Sequence, residues 1–99
     1  MGKSALNIGE FVILEALRRQ DNLYGFLLQK KTEEILKQKR SIGGIYTTLH
    51  RLEAKTLVTA KWESGTNPGG ARRRLYTLTT KGRMVCEEMR CALGKLLTG

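Results

Sequence analysis

The spacing of hydrophobic positions changes character twice along the chain. From Ile8 to Gln20, Ile8, Phe11, Val12, Ile13, Leu14, Ala16 and Leu17 predict a helix that is apolar over more than one face. Such a helix must be covered from two sides, by its own core and by a partner chain. Asp21 and Asn22 then interrupt the pattern as turn or cap residues. A second helix is predicted from Leu23 or Tyr24 to Lys37, with Tyr24, Leu27, Leu28, Ile35 and Leu36 inward and Lys30, Lys31, Glu33 and Glu34 on a solvated face. Within Ser41 to Leu57 a third helix should begin at about Gly44, burying Ile45, Leu49 and Leu52 at i, i+4, i+7 spacing. Tyr46 and Glu53 flank that stripe, while Thr47, Thr48, Arg51 and Lys55 are expected on the opposite, solvent-facing side with His50 and Ala54 beside them.

After this helix the period becomes two. Leu57 to Glu63 alternates, and so does Arg72 to Leu78, while Ser64 to Ala71 between them contains Gly65, Pro68, Gly69 and Gly70. That is a two-stranded hairpin with a long tip. The helical period returns from Thr79 or Thr80, a threonine serving as N-cap, to about Leu97. There Val85, Met89, Ala92 and Leu96 form an a/d-like seam, widened by Cys86, Leu93 and Leu97. The expected fold is mainly α with a two-stranded β-hairpin: a winged helix-turn-helix over residues 1–78 and a C-terminal dimerisation helix over 79–99, forming one structural unit. Phe11, Leu14, Val85, Met89, Ala92, Leu93 and Leu96 are the expected dimer interface.

Composition sharpens this picture through the placement of charge. From Lys37 to Arg83 there are eleven lysines and arginines against two acids, Glu53 and Glu63, which accounts for the whole net charge of +9. A positive field confined to the third helix and the hairpin suits a polyanion, and double-stranded DNA first. The expected contacts are Tyr46, Thr47, Thr48, Arg51 and Lys55 on the helix, with Arg72, Arg73 and Arg74 on the hairpin. Arginine can read guanine edges, threonine offers a methyl or hydroxyl, and the hairpin arginines can hold phosphates or an adjacent minor groove. A membrane partner lacks support, because no apolar run has the length of a span and no basic helix carries aromatic anchors. The N-terminus shows no secretory signal pattern, so a cytoplasmic location is expected.

Enzymatic chemistry is not expected. His50 is the single histidine and has no Ser, Cys or carboxylate at triad-like spacing. Cys86 and Cys91 are too few for a zinc site and diverge on one helix, so two buried free thiols are expected, with no metal and no cofactor. Trp62 should anchor the wing. RNA is disfavoured for want of an aromatic stacking platform on the hairpin. The competing class is an interaction module, a winged helix that binds protein or a small molecule without a DNA operator.

The ordered set of segments resembles the PadR family of winged-helix transcriptional regulators. Tyr24-Gly25-Phe26 is similar to its second-helix entry, and Gly44-Ile45-Tyr46 with Leu49-His50-Arg51-Leu52-Glu53 to its third-helix signature. Leu57-Val58, Trp62-Glu63 and Arg72-Arg73-Arg74-Leu75-Tyr76 resemble its wing, and Leu78-Thr79 with Lys81-Gly82 the opening of its last helix. The resemblance implies a homodimeric DNA-binding repressor, often relieved by a small-molecule effector, of the short subgroup with a single C-terminal helix. The chain departs from the pattern twice. Thr47 stands where proline is common, leaving one more donor on the DNA side. Thr56 stands where glycine usually ends the helix, and a β-branched residue there is expected to stay right-handed.

Overall fold

The computed structural model describes residues 6–63 and 73–98. The expected hairpin tip Ser64–Ala71, Arg72 and the Leu97 side chain lie outside the described residues. Three helices come first: α1 (Ile8–Arg19), α2 (Gly25–Leu36) and α3 (Ile42–Ala54). Strands β1 (Val58–Trp62) and β2 (Arg74–Leu78) follow, then α4 (Thr80–Thr98). Helix α1 starts in a capping box: Asn7 Oδ1 accepts from the Glu10 N–H at 2.8 Å, and Glu10 Oε1 accepts from the Asn7 N–H at 3.1 Å. Helix α3 begins two residues before Gly44, because Ser41 Oγ accepts the Gly44 N–H at 3.0 Å and serves as the N-cap. Thr79 does the same for α4, its hydroxyl accepting the Gly82 N–H at 2.9 Å.

The hairpin pairs antiparallel from Val58↔Leu78 to Trp62↔Arg74. A third short element joins it: Leu23, in the α1–α2 link, exchanges both backbone bonds with Tyr76. The wing is thereby tied to the helix-turn-helix rather than hanging from its own turn. Beneath it sits a core that includes Ile13, Leu14 and Leu17 from α1, Leu28 from α2, Ile45, Leu49 and Leu52 from α3, Val58 and Tyr76 from the hairpin and Cys86 from α4. Each aliphatic side chain fully buried there contributes roughly 1.5–3 kcal/mol. Leu14 is 0% exposed within this core. It therefore has no surface to offer a partner chain, contrary to its expected place in a dimer interface.

Thr56 also departs from expectation, with φ of 61° in the left-handed region. The α3 terminus shows why. The Thr56 N–H bonds the Glu53 carbonyl and the Leu57 N–H bonds the Leu52 carbonyl, each at 2.9 Å, which closes the helix in a Schellman turn. Leu52 and Leu57 are both buried in the core across that turn. The start of α4 then clamps it: the Thr79 hydroxyl donates to the Thr56 carbonyl at 2.7 Å, and the Thr79 N–H to the Leu57 carbonyl at 3.1 Å. These bonds outweigh the left-handed penalty of about 1–2 kcal/mol. Gly82 completes the joint, since a Cβ there would lie 2.0 Å from the Leu57 carbonyl oxygen.

Candidate nucleic-acid interface

Helix α3 shows one face to solvent. Tyr46, Thr47, His50 and Arg51 are all exposed along it. Among the described residues no acid pairs with the Arg51 guanidinium and no acceptor takes a hydrogen bond from it. The Thr47 hydroxyl donates to its own helix, to the Gly43 carbonyl at 3.0 Å, so toward solvent it presents lone pairs and a methyl rather than the expected extra donor.

Two expected members of this face lie elsewhere. Thr48 is only 8% exposed, and its hydroxyl donates to the Gly44 carbonyl at 2.9 Å. It follows Ile45 by three positions and precedes Leu52 by four, which puts it on the buried stripe. Lys55 follows Leu52 by three and also turns inward. Its Nζ lies 2.9 Å from Glu10 Oε2, the carboxylate of a residue 2% exposed. Burial pushes the Glu10 carboxyl up, but the hydrogen bonds from Lys55 and Asn7 and the charges of Lys55 and Arg51 outweigh it and hold the group below its usual range. Lys55 thus ties the end of α3 to the start of α1.

The wing arginines are held on aromatic rings. The Arg73 guanidinium sits over Tyr24 at 4.6 Å, and Arg74 over Trp62 at 5.9 Å and Tyr76 at 6.0 Å. Arg74 also meets Glu53 of α3 at 3.1 Å, whereas Arg73 approaches Glu63 only to 3.9 Å. Trp62, expected as the hydrophobic anchor of the wing, is 55% exposed. Tyr46 leans from α3 onto α2, where a Cβ at Gly25 would fall 2.4 Å from its ring. Together Tyr24, Tyr46, Trp62, Tyr76, Arg73 and Arg74 line a cavity of about 350 Å³. This aromatic cleft was not anticipated, because its residues are scattered over four segments and only the fold gathers them.

At the opposite end, α1 and α4 form a groove of about 410 Å³ whose lining includes Phe11, Glu15, Arg90, Cys91 and Leu93. Glu15 is its hub. Its carboxylate accepts from Arg18 at 2.8 and 2.9 Å and from Arg19 at 2.9 Å, and it faces Arg90 of α4 at 3.3 Å. The Arg18 hydrogen bonds, working against burial, bring its pKa from 4.5 to about 2. Cys86 is buried against it, and desolvation with the Glu15 charge pushes the thiol up to about 11. Cys91, expected to be buried, is exposed. Of the expected dimer seam, Val85, Met89 and Leu93 are half-buried, Ala92 is exposed and Leu96 is 79% exposed. Among the described residues no helix is long and apolar enough to cross a membrane, and no group of His, Cys, Asp and Glu could hold a metal ion.

Residues 13–88 match the family described as the transcriptional regulator PadR-like family. Solved structures give the same fold. A PadR family transcription regulator from Clostridium difficile R20291 superposes with a TM-score of 0.79 at 25% identity, covering 93% of each chain. A PadR-like transcriptional regulator from Bacillus cereus gives 0.76 at 27% identity, over 90% of this chain and 84% of that one. BpsR of Bordetella bronchiseptica, whose DNA binding is regulated by 6-hydroxynicotinic acid, gives 0.75 at 26% identity, over 99% of this chain and 67% of its own. No curated protein matches the chain in sequence.

Proposed function

This chain belongs to the PadR-like family of transcriptional regulators, and from that premise we propose that two copies of it bind a pseudo-palindromic operator in double-stranded DNA and repress transcription there. The observation that carries this reading is the exposed face of α3, where Arg51 stands beside Thr47 and His50 with no ion-pair or hydrogen-bond partner among the described residues. Entering the major groove, Arg51 would take the edge of a guanine and Thr47 a thymine methyl or a base amino group. Tyr46, Arg73 and Arg74 would lie along the backbone, joined by Arg72, which lies outside the described residues. Lys55 and Thr48 take no part, because Glu10 and the Gly44 carbonyl engage them.

The dimer would form at the α1–α4 end. Phe11, Val85, Met89, Ala92, Leu93 and Leu96 supply the contact without Leu14. Residues 1–78 then serve as the DNA-binding part and 79–99 as the dimerisation helix of one unit, working in the cytoplasm. A small-molecule effector fits this reading, as in BpsR.

Selection of preferred sites from random duplex DNA at physiological salt tests the proposal. A two-fold symmetric motif with half-sites about one helical turn apart is expected. If each protomer neutralises about three phosphates, log K against log salt should fall with a slope of roughly −5. Equal affinity for every duplex sequence would remove the regulatory reading, because any protein of charge +9 attracts DNA at low salt.

A further inference from the structure

All three tyrosines and the single tryptophan of the chain line the cleft between α3 and the wing. A DNA backbone takes cations and hydroxyls, a tyrosine hydroxyl among them, but makes little use of ring faces. Yet Trp62 and Tyr46 are 55% and 47% exposed here. The two guanidiniums are already laid on rings, Arg73 on Tyr24 and Arg74 on Trp62 and Tyr76, so little side-chain freedom remains to be lost on binding. Arg74 gives one hydrogen bond to Glu53, and the 3.9 Å approach of Arg73 to Glu63 is too long for one. Donors therefore remain on both cations. Because two carboxylates already offset part of their charge, a ligand with one negative charge gains little. A phosphate, with more charge and three free oxygens, has acceptors to offer each of the two guanidiniums that line the cleft.

Ring faces beside paired guanidiniums describe a nucleotide site. We infer that this cleft binds a free purine nucleotide, the base against Trp62 and Tyr46 and the phosphate against Arg73 and Arg74. Resting on the proposed DNA reading, such an occupant would hold the wing arginines away from DNA.

Trp62, as the only tryptophan, reports the site directly by its fluorescence in the full-length protein without DNA. Titration with AMP and GMP should quench it saturably, with adenosine and ribose 5-phosphate each at least about tenfold weaker, since stacking and phosphate contacts each contribute on this scale. In an Arg73→Gln/Arg74→Gln variant, AMP should weaken to the level of adenosine while adenosine binding stays unchanged, which also shows the cleft is still formed. No saturation by either nucleotide up to about 10 mM, a concentration beyond millimolar affinity, would overturn the site. So would AMP binding no tighter than adenosine. Saturating AMP should also weaken duplex DNA binding, and unchanged DNA affinity would overturn the regulatory half. The titration is read without DNA, so its failure leaves the DNA reading standing, and failure of that reading leaves the titration valid.

Discussion

Arginines gather at both ends of this molecule, and the two ends treat them differently. Between α1 and α4, Arg18, Arg19 and Arg90 converge on the carboxylate of Glu15, whose side chain is only 6% exposed. At the α3–wing end, Arg51 has no acid partner among the described residues, and Arg73 and Arg74 rest on rings beside acids that are only half-buried. A buried carboxylate commits the cations around it to architecture. A ring, or open solvent, leaves them free to meet an outside anion. Net charge does not distinguish the two uses; the burial of the counter-charge does.

Removing the buried charge should have the largest effect. Glu15→Gln is expected to lower unfolding stability by about 3 kcal/mol, the equivalent of its pKa depression from 4.5 to about 2. Because the folded pKa is lowered, this contribution is present above the usual carboxylate range and is lost as pH falls from about 5 toward about 2. Chemical denaturation across that interval should show the loss in the parent protein and a flatter profile in the variant. Identical pH profiles for the two would place the stabilisation elsewhere.

Lys55 lies on the boundary of the comparison, being basic and on α3 but turned to Glu10. Lys55→Met would strand a buried carboxylate, at an expected cost of about 1–3 kcal/mol measured by denaturant titration. The salt slope of DNA binding should stay unchanged. A slope shallower by about one unit per protomer would return Lys55 to the phosphate contacts. The smallest effect concerns the turn beside it. Thr56→Gly relieves a left-handed β-branched residue and should raise stability by about 1 kcal/mol; a loss instead would mean that the Thr56 side chain itself secures the turn.

Much of this was legible in the primary structure, because the governing patterns are local. The buried stripe of Ile45, Leu49 and Leu52, the alternation through Val58 and Tyr76, and the Thr79 cap each follow from spacing over a few residues. Membership of the α3 polar face was read less well. Thr48 and Lys55 sit about one sixth to one quarter of a turn from the apolar stripe, where a polar side chain can be drawn inward by a backbone carbonyl or a buried acid. Glu10 as that acid was invisible, being 45 positions from Lys55. Leu14 looks available to a partner because α1 is apolar over more than one face, whereas the chain's own core already buries it completely. Intrinsic preference alone keeps Thr56 right-handed, and the paired terminal bonds and the α4 clamp override it. The aromatic bed of Arg73 and Arg74 depends on tertiary packing and left no local signal.

Arg51 stands open to solvent, whereas the arginines around Glu15 are held by a buried carboxylate. Whether that opening serves DNA is decided by measuring Arg51→Ala affinity for a selected operator and for random duplex at one salt concentration. A loss of about 1–3 kcal/mol is expected on the operator, with random duplex much less affected, so that the two affinities converge. An equal loss on both would contradict it, reducing Arg51 to one more positive charge on a basic surface.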